Sequence, residues 1–270
     1  MIQLACSVVL LATTSVAGLP TVTAAPGTVV RWQGAGTEVC LMAGRIWEPV
    51  GDTCYYPIDL LATVGPLDVE RRRGGKTEQA RIVVSRYPYP TQHLTIRDER
   101  RVHLSPEDAA RAERERLRLD RLWGRLIPRR FHLPLSRPIP GAGRGGHFGA
   151  RRFINGEPRS PHTGIDIAAA EGTPVRAAAN GLVVLVDDLF FSGKSVFIDH
   201  GDGLITMYFH LSRFSVHPGE SVRRGQTIGA VGATGRATGP HLHFGARWLG
   251  ARIDPHLLFE PSADLVSLSR

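Results

Sequence analysis

Five side chains in the last 110 or so residues have the types and spacing for hydrolytic chemistry. His162-Thr-Gly-Ile-Asp166 sets a carboxylate four positions after an imidazole, and Gly239-Pro-His241-Leu-His243-Phe244 sets two imidazoles two apart. Between them His210 stands alone in Thr206-Met-Tyr-Phe-His210-Leu211. Two imidazoles and a carboxylate are the donors of a catalytic zinc that keeps its fourth position open to water. Two further imidazoles are then left to move protons near neutral pH. The helical His-Glu-x-x-His arrangement is absent, so no glutamate is offered as general base.

Strands must position these groups. Gly164 and the β-branched Ile165 and Ile167 make the His162–Asp166 segment extended or looping rather than helical. His241 and His243, two apart, share one face of a strand, so one can ligate while the other stands a side chain away. His210 is expected to close a strand and approach from a neighbour. Asn180-Gly181 is a turn into Leu182–Val186, and Gly201-Asp202-Gly203 is a hairpin signal between Ser195–Asp199 and Leu204–His210. Thr227–Val231 and Pro240–Phe244 supply further strands. The region shows no helical period, so residues 141–262 read as a Gly-rich antiparallel β domain, followed by a tail over 263–270.

The chain ahead of it divides differently. Short β-prone runs punctuated by Gly and Pro over 26–98 predict a small β-sandwich-like domain: Thr28–Trp32, Glu38–Met42, Ala80–Ser85 and His93–Ile96, with a turn at Gly74-Gly75. Asp59 and His93 are isolated there and read as surface or capping residues. Residues 99–140 form a linker. Ser105-Pro106-Glu107-Asp108 is a helix start, and Leu119, Leu122, Trp123, Leu126 and Ile127 make one apolar helical face. Pro128 is expected to end it, and Leu133–Pro140 to run extended. Interleaved Glu113, Glu115 and Asp120 make its arginine-rich side a solvated, salt-bridged face.

Residues 1–25, with the apolar run Val8–Ala12 and small residues up to Ala24 and Ala25, read as an export signal cleaved after one of those two alanines. No other segment reaches the ~20 apolar residues of a membrane span. Export removes Cys6 and leaves Cys40 and Cys54, an even pair that in an oxidising compartment is expected to form a disulfide. The net charge of +8 is almost wholly arginine, Lys76 and Lys194 being the only lysines. Without a nucleic-acid motif, this charge points to an anionic cell envelope rather than to nucleic acid.

From Phe148 to Phe259 the sequence resembles the LytM-type, lysostaphin-like zinc metallopeptidases of family M23. The segments that carry the resemblance are Phe148-Gly-Ala-Arg-Arg152, His162-Thr-Gly-Ile-Asp166, Gly172-Thr-Pro-Val175, Asp199-His200-Gly201, Tyr208-Phe-His210-Leu211, Gly225–Gly229 and Thr238–Phe244. The resemblance implies that His162, Asp166 and His243 bind Zn2+ and that His210 and His241 are catalytic. It implies hydrolysis of peptide cross-links or stem peptides of peptidoglycan in the periplasm or cell envelope, by zinc-bound water with a histidine as general base. The alternative is a non-catalytic module that binds peptidoglycan or activates an amidase; such members have generally lost zinc ligands, and none is missing here. Gly245 stands where many relatives carry an acid. His200 reads as structural and Asn155 as a turn residue. His103, His132, His217 and His256 lack partners at useful spacing, and His147 could face the groove.

Overall fold

The computed structural model describes residues 18–269. Of the expected export signal, the apolar run and Cys6 lie outside the described residues.

Seven strands come first: β1 (Thr21–Ala24), β2 (Val29–Gln33), β3 (Thr37–Met42), β4 (Arg45–Trp47), β5 (Thr53–Pro57), β6 (Gly65–Arg73) and β7 (Lys76–Val84). They form a five-stranded sheet, ordered β1-β7-β6-β3-β4, and a β2-β5 pair. A Cys40–Cys54 disulfide joins β3 to β5, and so one layer to the other. Closing a loop of 14 residues stabilises such a layer pair by about 3 kcal/mol. Strand β1 belongs to residues expected to leave with the signal, yet it runs parallel to β7, with Ala24 opposite Val84 and buried.

Strand β8 (Thr91–Leu94) turns away from these layers. It pairs in parallel with β9 (Arg151–Ile154), which forms a hairpin with β10 (Glu157–Arg159). Asn155 takes a positive φ of 50° at the hairpin turn. Its side chain accepts from Ile96 N–H at 2.9 Å and donates to Ile96 O at 3.0 Å, locking the segment after β8 to the hairpin.

Helix α1 (Pro106–Asp120) starts as expected, with Ser105 Oγ accepting from Asp108 N–H at 3.1 Å. It ends earlier than its apolar period predicts. The chain turns at Arg121–Gly124, which lets Leu122 pack among Leu185, Leu189, Phe197, Ile205 and Met207. Beyond the turn, Ile127 O accepts from Asp202 N–H at 3.0 Å, and Arg130 N–H donates to His200 O at 2.7 Å. Those bonds to residues 200–202 replace helical ones, and Leu126 is left 60% exposed. Hydrogen bonding to the sheet has overridden a local period.

The last region comprises β11 (Gly164–Ala168), β12 (Pro174–Arg176), β13 (Gly181–Leu189), β14 (Gly193–Asp199), β15 (Leu204–Phe214), β16 (Ser221–Val222), β17 (Thr227–Val231), β18 (His241–Trp248) and β19 (Ala251–Ile253). Its main path is β11-β18-β15-β14-β13-β16, with β12 and β17 paired beside β15 and β19 on β18. The fold is mostly β with a single α-helix among the described residues. One continuous apolar core runs from the N-terminal layers into this sheet. Tyr55 stacks on Trp248 at 5.3 Å, and Arg252 bonds Asp59 at 3.0 Å. The expected tail is held too: Arg31 N–H donates to Val266 O at 2.8 Å and Leu268 N–H to Arg31 O at 2.9 Å. No helix of the described residues is long and apolar enough to cross a membrane.

Candidate metal centre

Strand pairing brings the separated motifs together. Antiparallel β11 and β18 set Asp166 opposite His243, and β15 sets Phe209 opposite His243 on the other side. Gly164 permits the close approach: a Cβ there would lie 2.5 Å from Phe244 O and 2.6 Å from His243 Nε2. His162 precedes β11, tied by its N–H to Ala150 O at 2.9 Å. Three donor atoms then converge. His162 Nε2 is 2.8 Å from His243 Nδ1, and both lie 3.0 Å from Asp166 Oδ1.

These residues fit a small, hard-to-borderline cation. His162 Nδ1 is 2.9 Å from His147 O; a carbonyl cannot donate, so the proton is on Nδ1 and Nε2 is a bare lone pair. That lone pair, a carboxylate oxygen and a second imidazole nitrogen face one another with at most one proton among them. A cation between them would resolve the repulsion. The edges of this triangle approach the roughly 3.3 Å that tetrahedral bonds of about 2.0–2.1 Å impose. Among the described residues, this is the only group of three or more such side chains close enough to share a metal.

His210 and His241 stand over the triad. His241 Nε2 is 3.8 Å from Asp166 Oδ1, and the His210 and His241 rings are 4.8 Å apart. Each is tethered in the manner of His162: His210 Nδ1 donates to Thr234 O at 2.8 Å and His241 Nδ1 to Gly239 O at 2.8 Å. Both therefore keep Nε2 as the unbound acceptor. Contrary to the expectation from its sequence, His210 does not close its strand; β15 continues to Phe214. A register shift against β14 makes a bulge there, and His210 sits in it at φ 63°. Bulges re-aim a side chain that regular pleating would direct elsewhere, and a non-glycine residue in this conformation costs about 1–2 kcal/mol.

Arg152 was not singled out as functional by the sequence, where it is one arginine among many. Its Nη2 donates to Asp166 Oδ2 at 2.9 Å and its Nε to Gln92 Oε1 at 3.2 Å. It fixes the carboxylate by its second oxygen and leaves Oδ1 for the centre. Phe209 stacks flat on His243, 5.1 Å between centroids at 4°. At Gly245 a Cβ would meet Met207 Cε at 2.9 Å, so this methionine fills the space where an acidic side chain would begin. His147 does line the groove, with His210, His241 and Asp166.

Burial first, then the neighbouring His243 and Arg152 against an opposing Asp166, holds His162 down at about 4. Burial and then His243 and His241 take His210 to about 3. Asp166 is the converse: burial opposes ionisation, but the adjoining His162 and His243 side chains hold it well below the usual carboxylate range. All three are thus in metal-binding or proton-accepting form at neutral pH. His200, fully buried, is structural as expected: Nδ1 donates to Asn180 O and Nε2 accepts from Thr206 Oγ1, each at 2.7 Å. Burial lowers its pKa to about 4.

These depressed values set an acid limit on the fold. Below the unfolded value of about 6.5 the unfolded chain binds protons that the folded chain refuses, so stability falls with pH between about 6.5 and 4. His200 alone loses about 3 kcal/mol over that range. The melting temperature of metal-free protein is expected to drop steadily from pH 6.5 to 4; a flat profile there contradicts the neutral buried state.

The architecture is a LytM-like β peptidase fold. Residues 160–255 match the model of peptidase family M23. A crystal structure from Pseudomonas aeruginosa assigned to peptidase M23 superposes with a TM-score of 0.67 and 33% identity, covering 87% of this chain and 94% of that one. The chain belongs to peptidase family M23. It is 46% identical over 109 residues to the DD-carboxypeptidase/endopeptidase Mpg of Neisseria meningitidis serogroup B, covering 40% of this chain and 25% of that protein. It is 41% identical over 119 residues to the peptidoglycan DD-endopeptidase ShyC of Vibrio cholerae serotype O1, covering 43% and 27%. These matches span about a quarter of the length of the curated relatives.

Proposed function

We propose that this protein is an exported zinc metalloendopeptidase that hydrolyses peptide cross-links of peptidoglycan. The observation that carries the reading is the convergence of His162, Asp166 and His243 donor atoms within 3.0 Å, beneath two imidazoles with tethered Nδ1 and free Nε2. Zinc held by the three would polarise a carbonyl and lower the pKa of water to about 7. The intact triad argues for an enzyme over a binding or amidase-activating module. The names of the curated relatives support peptidoglycan as substrate and the cell envelope, or periplasm, as the place of action.

The chain's own groups account for the proton movements. No glutamate stands at the centre, so His210 or His241 accepts the proton of the attacking water at Nε2. An imidazole that has gained this proton becomes a donor, to the developing oxyanion or to the leaving nitrogen. The carbonyls of Thr234 and Gly239 keep both rings from turning the wrong nitrogen inward. Arg152 holds the Asp166 carboxylate in place throughout. Export fits the fold if the signal is cut ahead of Thr21, because a later cut would remove β1 from its sheet.

Chromatography of products from defined cross-linked muropeptides is the deciding measurement. The protein is expected to split the cross-link, to stop when a chelator is added and to recover with about one equivalent of zinc. Undiminished cleavage in the chelator would refute the metal, and no cleavage with zinc present would refute the peptidase.

A further inference from the structure

The groove beside the triad does not end at His241. A cavity of about 340 Å³ containing Asp166, His210 and His241 is bounded by Arg236, on the loop between β17 and β18. The same Arg236 also lines an adjoining cavity of about 560 Å³, with Thr95 and Arg97 just after β8 and Arg101 of the linker.

Arg236 is held firmly and left uncompensated. Its N–H donates to Phe191 O at 2.8 Å, and its guanidinium lies 4.5 Å from the centre of the Phe191 ring. Nη1 donates to Arg101 O at 3.4 Å. The loop is packed tightly: a Cβ on Gly235 would lie 2.3 Å from Gly193 N. Nearby arginines already have acids, Arg101 with Asp98 and Arg152 with Asp166, each at 2.9 Å, and Arg159 with Glu157. Among the described residues neither Arg236 nor Arg97 has a carboxylate partner, and the Nε–Nη2 edge of Arg236 donates to nothing. Burial and then Arg152, Arg159 and Arg101 lower its pKa to about 10, which leaves it charged at neutral pH.

A half-buried guanidinium set among other cations, with its open edge on a cavity, gains from an answering anion. Its open edge is the planar fork that matches a carboxylate with two parallel bonds. We infer that Arg236, with Arg97 lining the same cavity, binds a free carboxylate on the substrate peptide flanking the scissile bond. The site is then built for acidic stem peptides rather than for an uncharged glycine bridge. Arg236 lies two residues from Thr234, whose carbonyl orients His210, so the specificity contact and the proton acceptor share one rigid loop.

This inference rests on the peptidase reading, and the test separates the two. Two cross-linked peptides, identical except that one carries a free carboxylate beside the scissile bond and the other its carboxamide, are compared as substrates. The wild-type protein is expected to favour the carboxylate at least about tenfold in kcat/KM, chiefly through KM. Arg236→Gln should shrink that ratio severalfold, Arg236→Lys less, because it keeps the charge without the fork. Arg97→Gln should shrink it too, at an exposed position where folding is not at stake. Zinc content and circular dichroism at wild-type level exclude misfolding of the variants. Cleavage of both peptides with equal kcat/KM, or a ratio unmoved by both glutamine variants, overturns the carboxylate site and leaves the peptidase standing. Cleavage of neither by the wild type overturns both.

Discussion

Asp166→Ala is expected to abolish zinc binding and to lower cross-link hydrolysis by at least about a thousandfold, the scale of losing an organising catalytic group. Asp166 is the one anionic donor of the triad, and it touches both ligand imidazoles at 3.0 Å. Its removal does more than subtract a ligand. Arg152, 19% exposed and bonded to Asp166 Oδ2, would be left as an uncompensated cation beside the proposed centre, where it would repel an incoming cation. Asp166→Asn keeps the shape and deletes the charge, and should bind zinc only weakly. Arg152→Leu keeps the carboxylate but frees it to turn, with metal affinity falling about 10- to 100-fold. Metal analysis of the purified proteins decides: one zinc per chain and full activity in Asp166→Ala would end the assignment.

The second large effect concerns His210 and His241, the two imidazoles proposed to move protons rather than to hold the metal. His241→Ala and His210→Asn are expected to keep zinc yet lose about 10²- to 10⁴-fold in kcat, with little change in KM. Asparagine is the apt replacement at 210 because it tolerates the positive φ of 63° found there. Strain at that position is worth about 1–2 kcal/mol, whereas 10²- to 10⁴-fold is roughly 2.7–5.5 kcal/mol. A backbone effect therefore cannot imitate the loss. Zinc retained with kcat intact in either variant would remove that residue from the proton pathway. Zinc lost in either would make it a ligand and require the triad to be redrawn.

Parts of this arrangement were readable from spacing. His241 and His243 share a face because side chains on a strand alternate with a period of two; the partner strand β11 was not written there, and Gly164 only permits the close approach once the two meet. The start of α1 was equally local, since Ser105 and Pro106 act within one turn. Its end was not. The apolar period over Leu119–Ile127 is a helical signal, but packing of Leu122 on the sheet and bonds to residues 200–202 outweighed it. Strand β8, in a run first grouped with the N-terminal strands, pairs with β9 instead, through an edge that no neighbouring residue specifies.

The sequence by itself determined the chemical inventory of the centre: which five side chains could bind and move protons, and that no glutamate was available for either task. Types and short-range spacing carry that information because donor chemistry belongs to the residue. The tertiary structure alone decided which nitrogen of each imidazole faces inward, since that depends on carbonyls at His147, Thr234 and Gly239. It alone placed His210 in a bulge, bound Arg152 to the far oxygen of Asp166 and left Arg236 without an acid. Those outcomes depend on the meeting of backbone segments remote along the chain, and a partner's position is a property of the fold rather than of any residue in it.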